Sequence, residues 1–173
     1  MAMTDGPDLA AIAQRQQAAA EMTRDEMQQV FDVHAPLEAY DFDGVLTTMT
    51  ADCYQLMPSI GLRLSGPAAV RGFYASLFGA FPDLGGELST RTAWDRNTMV
   101  RWGTFGGTMT GSYFGFEPTG RRFDVLRFTV LEFRDGLVVG EITYFDADTF
   151  CSQLGLPVSG VRAAADRVSQ HGW

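Results

Sequence analysis

Three carboxylates, Glu141, Asp146 and Asp148, lie in the stretch GEITYFDADTF at residues 140–150, among apolar and aromatic neighbours. A carboxyl group in apolar surroundings has its pKa raised towards neutrality, which suits removal of a proton next to a carbonyl. Arg127 is the cation that could answer such a group, by holding it ionised in a pair or by polarising a ligand oxygen. Asp146 stands before ADTFCSQLG, where an aspartate satisfies the free amides of a helix and meets the positive end of its dipole. Capping is therefore the expected work of Asp146, with catalysis as the alternative, and Asp148 can share the cap.

The turn in FRDGLVV decides which side chains accompany Glu141. A three-residue loop with Gly136 left-handed places Phe133 opposite Leu137, Arg127 opposite Thr143, and Thr129 opposite Glu141. A two-residue loop would put Arg134 opposite Leu137 and change every partner. On the longer loop, Phe123, Val125, Arg127, Thr129, Leu131 and Phe133 share a face with Leu137, Val139, Glu141, Thr143 and Phe145. Arg127 and Glu141 are then diagonal neighbours within pairing reach. Tyr54, Trp102, Tyr113, Phe114 and Phe116 could line a site for a flat, ring-containing ligand, or serve only as core.

The elements that must position these groups can be followed along the chain. Residues 8–21 are rich in helix formers but weakly amphipathic, and residues 1–22 read as a helical arm able to pack on a partner subunit. Thr23 and Glu26 form a capping box, and Met27, Val30, Phe31 and His34 then repeat at the spacing of one helical face. His34 is a candidate base, but its place on that face makes it a partly buried helical histidine. Pro36 should kink or restart the helix before EAYDFDGVLTTM supplies a short one. ADCYQLMPS reads as a strand ending at Pro58, and Pro67 and Pro82 bracket a further helix. From Gly86 onward, long segments rich in Thr, Phe, Val and Tyr are punctuated by glycine, which completes an α+β pattern.

At 173 residues the chain is long enough for one domain with a substantial core. Its net charge of −8 argues against nucleic acid or an anionic membrane as partner, since both demand clustered Lys or Arg. A small, uncharged or weakly polar ligand is expected instead. Cys53 and Cys151 sit in apolar contexts without the spacing of a zinc site, so neither a metal nor any other cofactor is expected. No leader pattern and no long apolar run is present, which makes a cytoplasmic protein the default.

The segments YDFDGVLTTMTADCYQLMP, SGPAAVRGFYASLFGAFPDL, GTMTGSYFGFEPTGRRFDV, FRDGLVVGEITYFD and DTFCSQLG, in this order, resemble the SnoaL-like polyketide cyclases of the nuclear transport factor 2-like superfamily. The resemblance implies a cone-shaped α+β domain over residues 23–155, followed by a tail at 156–173. In such a cone, N-terminal helices pack on a curved, mainly antiparallel sheet, enclose an apolar cavity, and often dimerise. It implies ring-closing proton chemistry on a small hydrophobic, polyketide-like or polycyclic molecule. The acid of such cyclases falls at Thr143 and their histidine at Thr129. The related ketosteroid isomerases would carry their base at Met57, a tyrosine near Val33 and a second acid at Thr129. The epoxide hydrolases of the superfamily would carry their charged set near Ser112, Thr110 and Thr143. With those positions occupied by other residues, Glu141 is the remaining acid/base candidate, with Arg127 and Asp146 behind it. Tyr54, Met57, Trp102, Tyr113, Thr129, Thr143 and Phe145 are the expected pocket lining. The alternative is a non-catalytic binding or assembly protein on the same fold.

Overall fold

Helix boundaries follow the capping residues. In the computed structural model, which describes residues 7–85 and 91–173, Asp8 caps α1 (Leu9–Ala18) by accepting the Ala11 amide. The Thr23–Glu26 capping box opens α2 (Arg24–Leu37), whose last turn contains Pro36. The short helix expected after it is only a 3-10 turn at Val45–Thr48. Asp41 there accepts the Gly44 amide at 2.8 Å and closes the chain into turns, a local bond that competes with helix.

Strands β1 (Met49–Met57) and β2 (Leu62–Ser65) precede α3 (Pro67–Ala80), with Pro67 at the helix start. Strands β3 (Arg91–Asp95), β4 (Thr98–Thr108), β5 (Arg122–Arg134) and β6 (Leu137–Phe145) follow, then α4 (Ala147–Leu154) and α5 (Val158–His171). The six strands form one open sheet in the order β2-β1-β6-β5-β4-β3. Only β1 and β6 run parallel; the other neighbours are antiparallel. Five helices and this mixed sheet make the α+β architecture.

The β5–β6 hairpin follows neither of the two simple registers. Asp135 and Gly136, at φ 53 and 78, form a two-residue turn that sets Arg134 opposite Leu137. A bulge then lets Phe133 face Val138 and Glu132 face Gly140, with Val139 as the extra residue. Beyond it Leu131 lies opposite Glu141, Thr129 opposite Thr143, and Arg127 opposite Phe145. Glu141, Thr143 and Phe145 thus keep the face expected of them, whereas Val138 takes the inner place expected for Leu137 and Val139. Arg127 is separated from Glu141 by the Thr129–Thr143 pair, and no ion pair joins them among the described residues.

The inner face packs on α2, α3 and α4 in one continuous core, where Phe81, Phe123, Tyr113 and Phe150 meet edge to face. Residues 156–173, expected as a tail, include α5, whose Val161 and Ala165 are sealed in that core. The arm α1 lies on the outer face of its own sheet, with Ile12 against Tyr54, Leu56 and Val139. Asp52 holds Arg15 of α1 at 2.9 Å and also pairs with Arg134. Residues 1–6 of the arm and Gly86, where the β-rich pattern begins, lie outside the described residues.

Candidate functional site

Between the inner face and helices α2 and α3 is a cavity of about 260 Å³. Its apolar walls include Phe31, Met57, Phe73, Leu77, Phe78 and Phe105, and its polar groups converge from four strands and the helical side. Glu141 comes from β6, Gln55 from the position directly opposite on β1, Arg101 from β4, Arg127 from β5, and Glu38 from just beyond α2. Strand alternation supplies the first four: each sits in phase with the inner face of its strand.

His34, one helical turn before Glu38, is completely buried behind this wall. Its Nδ1 lies 2.6 Å from Thr48 Oγ1, and that hydroxyl donates its single hydrogen to the Val45 carbonyl. Nδ1 must therefore carry a proton, which leaves Nε2 turned towards Glu38 Oε1 at 3.3 Å. Burial lowers the pKa of His34, but the hydrogen bond to Glu38 and the charges of Glu38 and Glu141 outweigh it, and the net shift is upward. Glu141, 7% exposed, is pushed up to about 8, first by burial and then by the charge of Glu38, with His34 and Arg127 opposing. Both His34 and Glu141 thus favour their protonated forms more than in water.

The ligating atoms of His34, Glu38 and Glu141 all lie within 4.8 Å of one another, and among the described residues this is the one such group of three that could bridge a metal ion. Gln55 is buried with both amide atoms unpaired, and the Tyr74 hydroxyl and Arg127 Nε are likewise sealed without partners. Three side chains on this wall thus keep hydrogen-bonding capacity that a polar ligand could use. Arg101 and Arg127 rest their guanidinium planes near the rings of Phe31 and Phe105, at 4.1 and 5.0 Å.

Of the residues read as site candidates, Glu141, Arg127, Met57, Thr129 and Thr143 line this cavity. The Thr129 and Thr143 hydroxyls face each other at 3.4 Å. Asp146 does not reach it: its carboxylate caps α4, accepting the Asp148 and Thr149 amides and the Thr149 hydroxyl. Tyr54 is on the opposite face, because it is out of phase with Gln55, and its hydroxyl donates to Glu132. Trp102 is also in the outer phase and stacks on Phe128. Tyr113 and Phe145 belong to the aromatic core beside α4 and not to the cavity lining.

Glu38, Arg101, Gln55 and Tyr74 escaped the sequence reading. A signal existed for two of them: Glu38 stands four residues after His34, and Gln55 interrupts the apolar run CYQLM.

A family model for the SnoaL-like polyketide cyclases matches residues 23–154. No curated protein matches the chain. A solved structure of a candidate SnoaL-like polyketide cyclase from Jannaschia sp. CCS1 is 20% identical with a TM-score of 0.68, over 80% of this chain and 99% of that one. A nuclear transport factor 2-like protein from Burkholderia xenovorans LB400 is 14% identical at a TM-score of 0.66, over 77% and 98% of the two chains. A protein of ketosteroid isomerase-like fold from Catenulispora acidiphila, solved with trimethylamine, is 18% identical at 0.62, over 75% and 95%. These likenesses establish a shared fold, and with the match across most of its length the chain belongs to the SnoaL-like polyketide cyclase family.

Proposed function

We propose that this protein is a cofactor-independent enzyme that moves a proton on a small, largely hydrophobic molecule, in a cyclisation, isomerisation or dehydration. One observation carries the reading: Glu141 is a buried carboxyl on the wall of a ligand-sized cavity, not ion-paired with Arg127 and grouped within 4.8 Å of the Glu38 and His34 polar atoms. In this mechanism the ionised form of Glu141 takes a proton from carbon next to a carbonyl; the charge of His34 favours that ionised form, and burial and the charge of Glu38 favour the protonated product. Gln55, beside Glu141 on the next strand, donates to the developing oxyanion, with Arg127 and Arg101 adding positive potential.

Replacement Glu141→Gln keeps the shape and removes the base, so turnover should fall about 100-fold or more once a substrate is identified by native mass spectrometry of gently purified protein. Unchanged turnover would remove the assignment. Dialysis against a chelator leaves turnover intact if the cluster holds protons; a loss restored by a divalent ion would assign it to a metal.

A non-catalytic binding role is the second reading, favoured by Thr129, Thr143 and Met57 standing where relatives are expected to carry acids and bases. A retained ligand recovered chemically unchanged after long incubation would support it.

We further propose a homodimer through the outer face of the sheet. Trp102, Phe128 and Tyr144 form one row across β4, β5 and β6, and Leu126, Phe128 and Tyr144 are 52%, 43% and 45% exposed. An apolar row of this kind calls for cover. Sedimentation at micromolar concentration should give a dimer, and Phe128→Glu a monomer; a wild-type monomer would contradict the proposal. A cytoplasmic location is part of the same proposal, supported by Cys53 and Cys151, buried and unpaired. No helix among the described residues is long and apolar enough to cross a membrane.

A further inference from the structure

The cavity contains more positive charge than its acids answer. Arg101 and Arg127 stand on the same face as diagonal neighbours, Arg101 opposite Thr129 and Arg127 opposite Gly103. Neither has an ion-pair partner among the described residues, and Arg127 Nε is cut off from solvent without any acceptor. Their planes are engaged by Phe31 and Phe105, so the N–H edges are what remain for a ligand. Neither acid in the lining forms an ion pair with them: Glu38 is turned to His34, and the Thr129–Thr143 pair separates Arg127 from Glu141. Burial lowers the pKa of both guanidiniums, and the charges of Glu38 and Glu141 only partly oppose it.

We infer that the cavity is built for a molecule of one or two rings that bears a carboxylate, seated on the Arg101 and Arg127 edges, with its reacting carbon towards Glu141. A planar carboxylate matches the guanidinium fork. A phosphate fits less well, since no helix N-terminus contributes to the lining and the C-terminal end of α2, with its partial negative charge, does. Size sets the ring count: a dry cavity of about 150 Å³ holds benzene, so the 260 Å³ here takes little more than two rings. Length agrees, because Arg127 pairs with Phe145, four residues along β6 from Glu141. That is roughly 13 Å of backbone, shortened by the inward reach of both side chains.

The inference rests on the cavity being the small-molecule site proposed above, but not on Glu141 being a base. Calorimetric titration at pH 7 with 2-naphthoate, 2-naphthamide and 2-naphthyl phosphate tests it on the wild-type protein. Naphthoate should bind at least about tenfold tighter than the amide, the value of one charge-assisted contact. That preference should vanish in Arg127→Met and Arg101→Met. Absent naphthoate binding, equal binding of the amide, or tighter binding of the phosphate would overturn the inference. The wild-type comparison stands even if an arginine variant fails to fold. Preserved carboxylate preference with undiminished turnover in Glu141→Gln would sink the proton-transfer reading alone.

Discussion

A carboxyl that keeps its proton inside the protein makes the fold itself sensitive to pH. Glu141 has a folded-state pKa raised from 4.5 to about 8, so between those values the folded state binds a proton that the unfolded state has lost. Its contribution to stability therefore falls as pH rises through that window and levels off above it. His34, also raised, acts with the same sign: the stability it adds is present below its ordinary value and lost as pH rises through its folded value. Thermal unfolding from pH 5 to 8 should show declining stability in the wild type and a shallower decline in Glu141→Gln. Parallel curves for the two proteins would place the proton elsewhere.

At the scale of the element, β6 is positioned by small features that alternation alone does not encode. Gly140 pairs with Tyr54, and a Cβ there would lie 2.6 Å from the tyrosine ring carbons. Gly140→Ala should cost about 1–3 kcal/mol in urea unfolding, the usual penalty for an overfilled site; no loss would show that the ring moves freely. Deleting Val139 should remove the bulge yet leave Gly140 opposite Glu132 and Glu141 opposite Leu131, so Glu141 keeps the inner face and cavity binding should persist; lost binding would show that the bulge itself shapes the site. The helices and strands of the domain were legible because capping boxes, prolines and alternation are local signals, as at Thr23, Pro67 and Gly136. The shorter turn and the one-residue bulge together shift the register by two, which preserved the expected face of Glu141 and Thr143 while the partners across the ladder were displaced. Tyr54 and Trp102 were not legible as outer residues, since an aromatic in a strand satisfies either face until the phase is known. His34 and Glu38 meet Glu141 only through the packing of α2 on the sheet, a long-range contact no local pattern records.

For the molecule as a whole, the segment from α5 to Trp173 is structural. Trp173 stacks on Phe114 and donates to the Ala69 carbonyl, and Val161, Ala164 and Ala165 of α5 are buried. Truncation after Leu156 should lower stability by about 3 kcal/mol or more from lost apolar burial, read as a lowered urea midpoint. An unchanged midpoint would return residues 156–173 to the status of a tail. The facing hydroxyls of Thr129 and Thr143 occupy the rung where ring-closing relatives are expected to hold their histidine and acid, and Glu141 lies one rung nearer the hairpin turn. That step is roughly 7 Å along the strand. A ligand seated as in such relatives would therefore present a different carbon to the base here, so regioselectivity would follow from strand position within a shared scaffold.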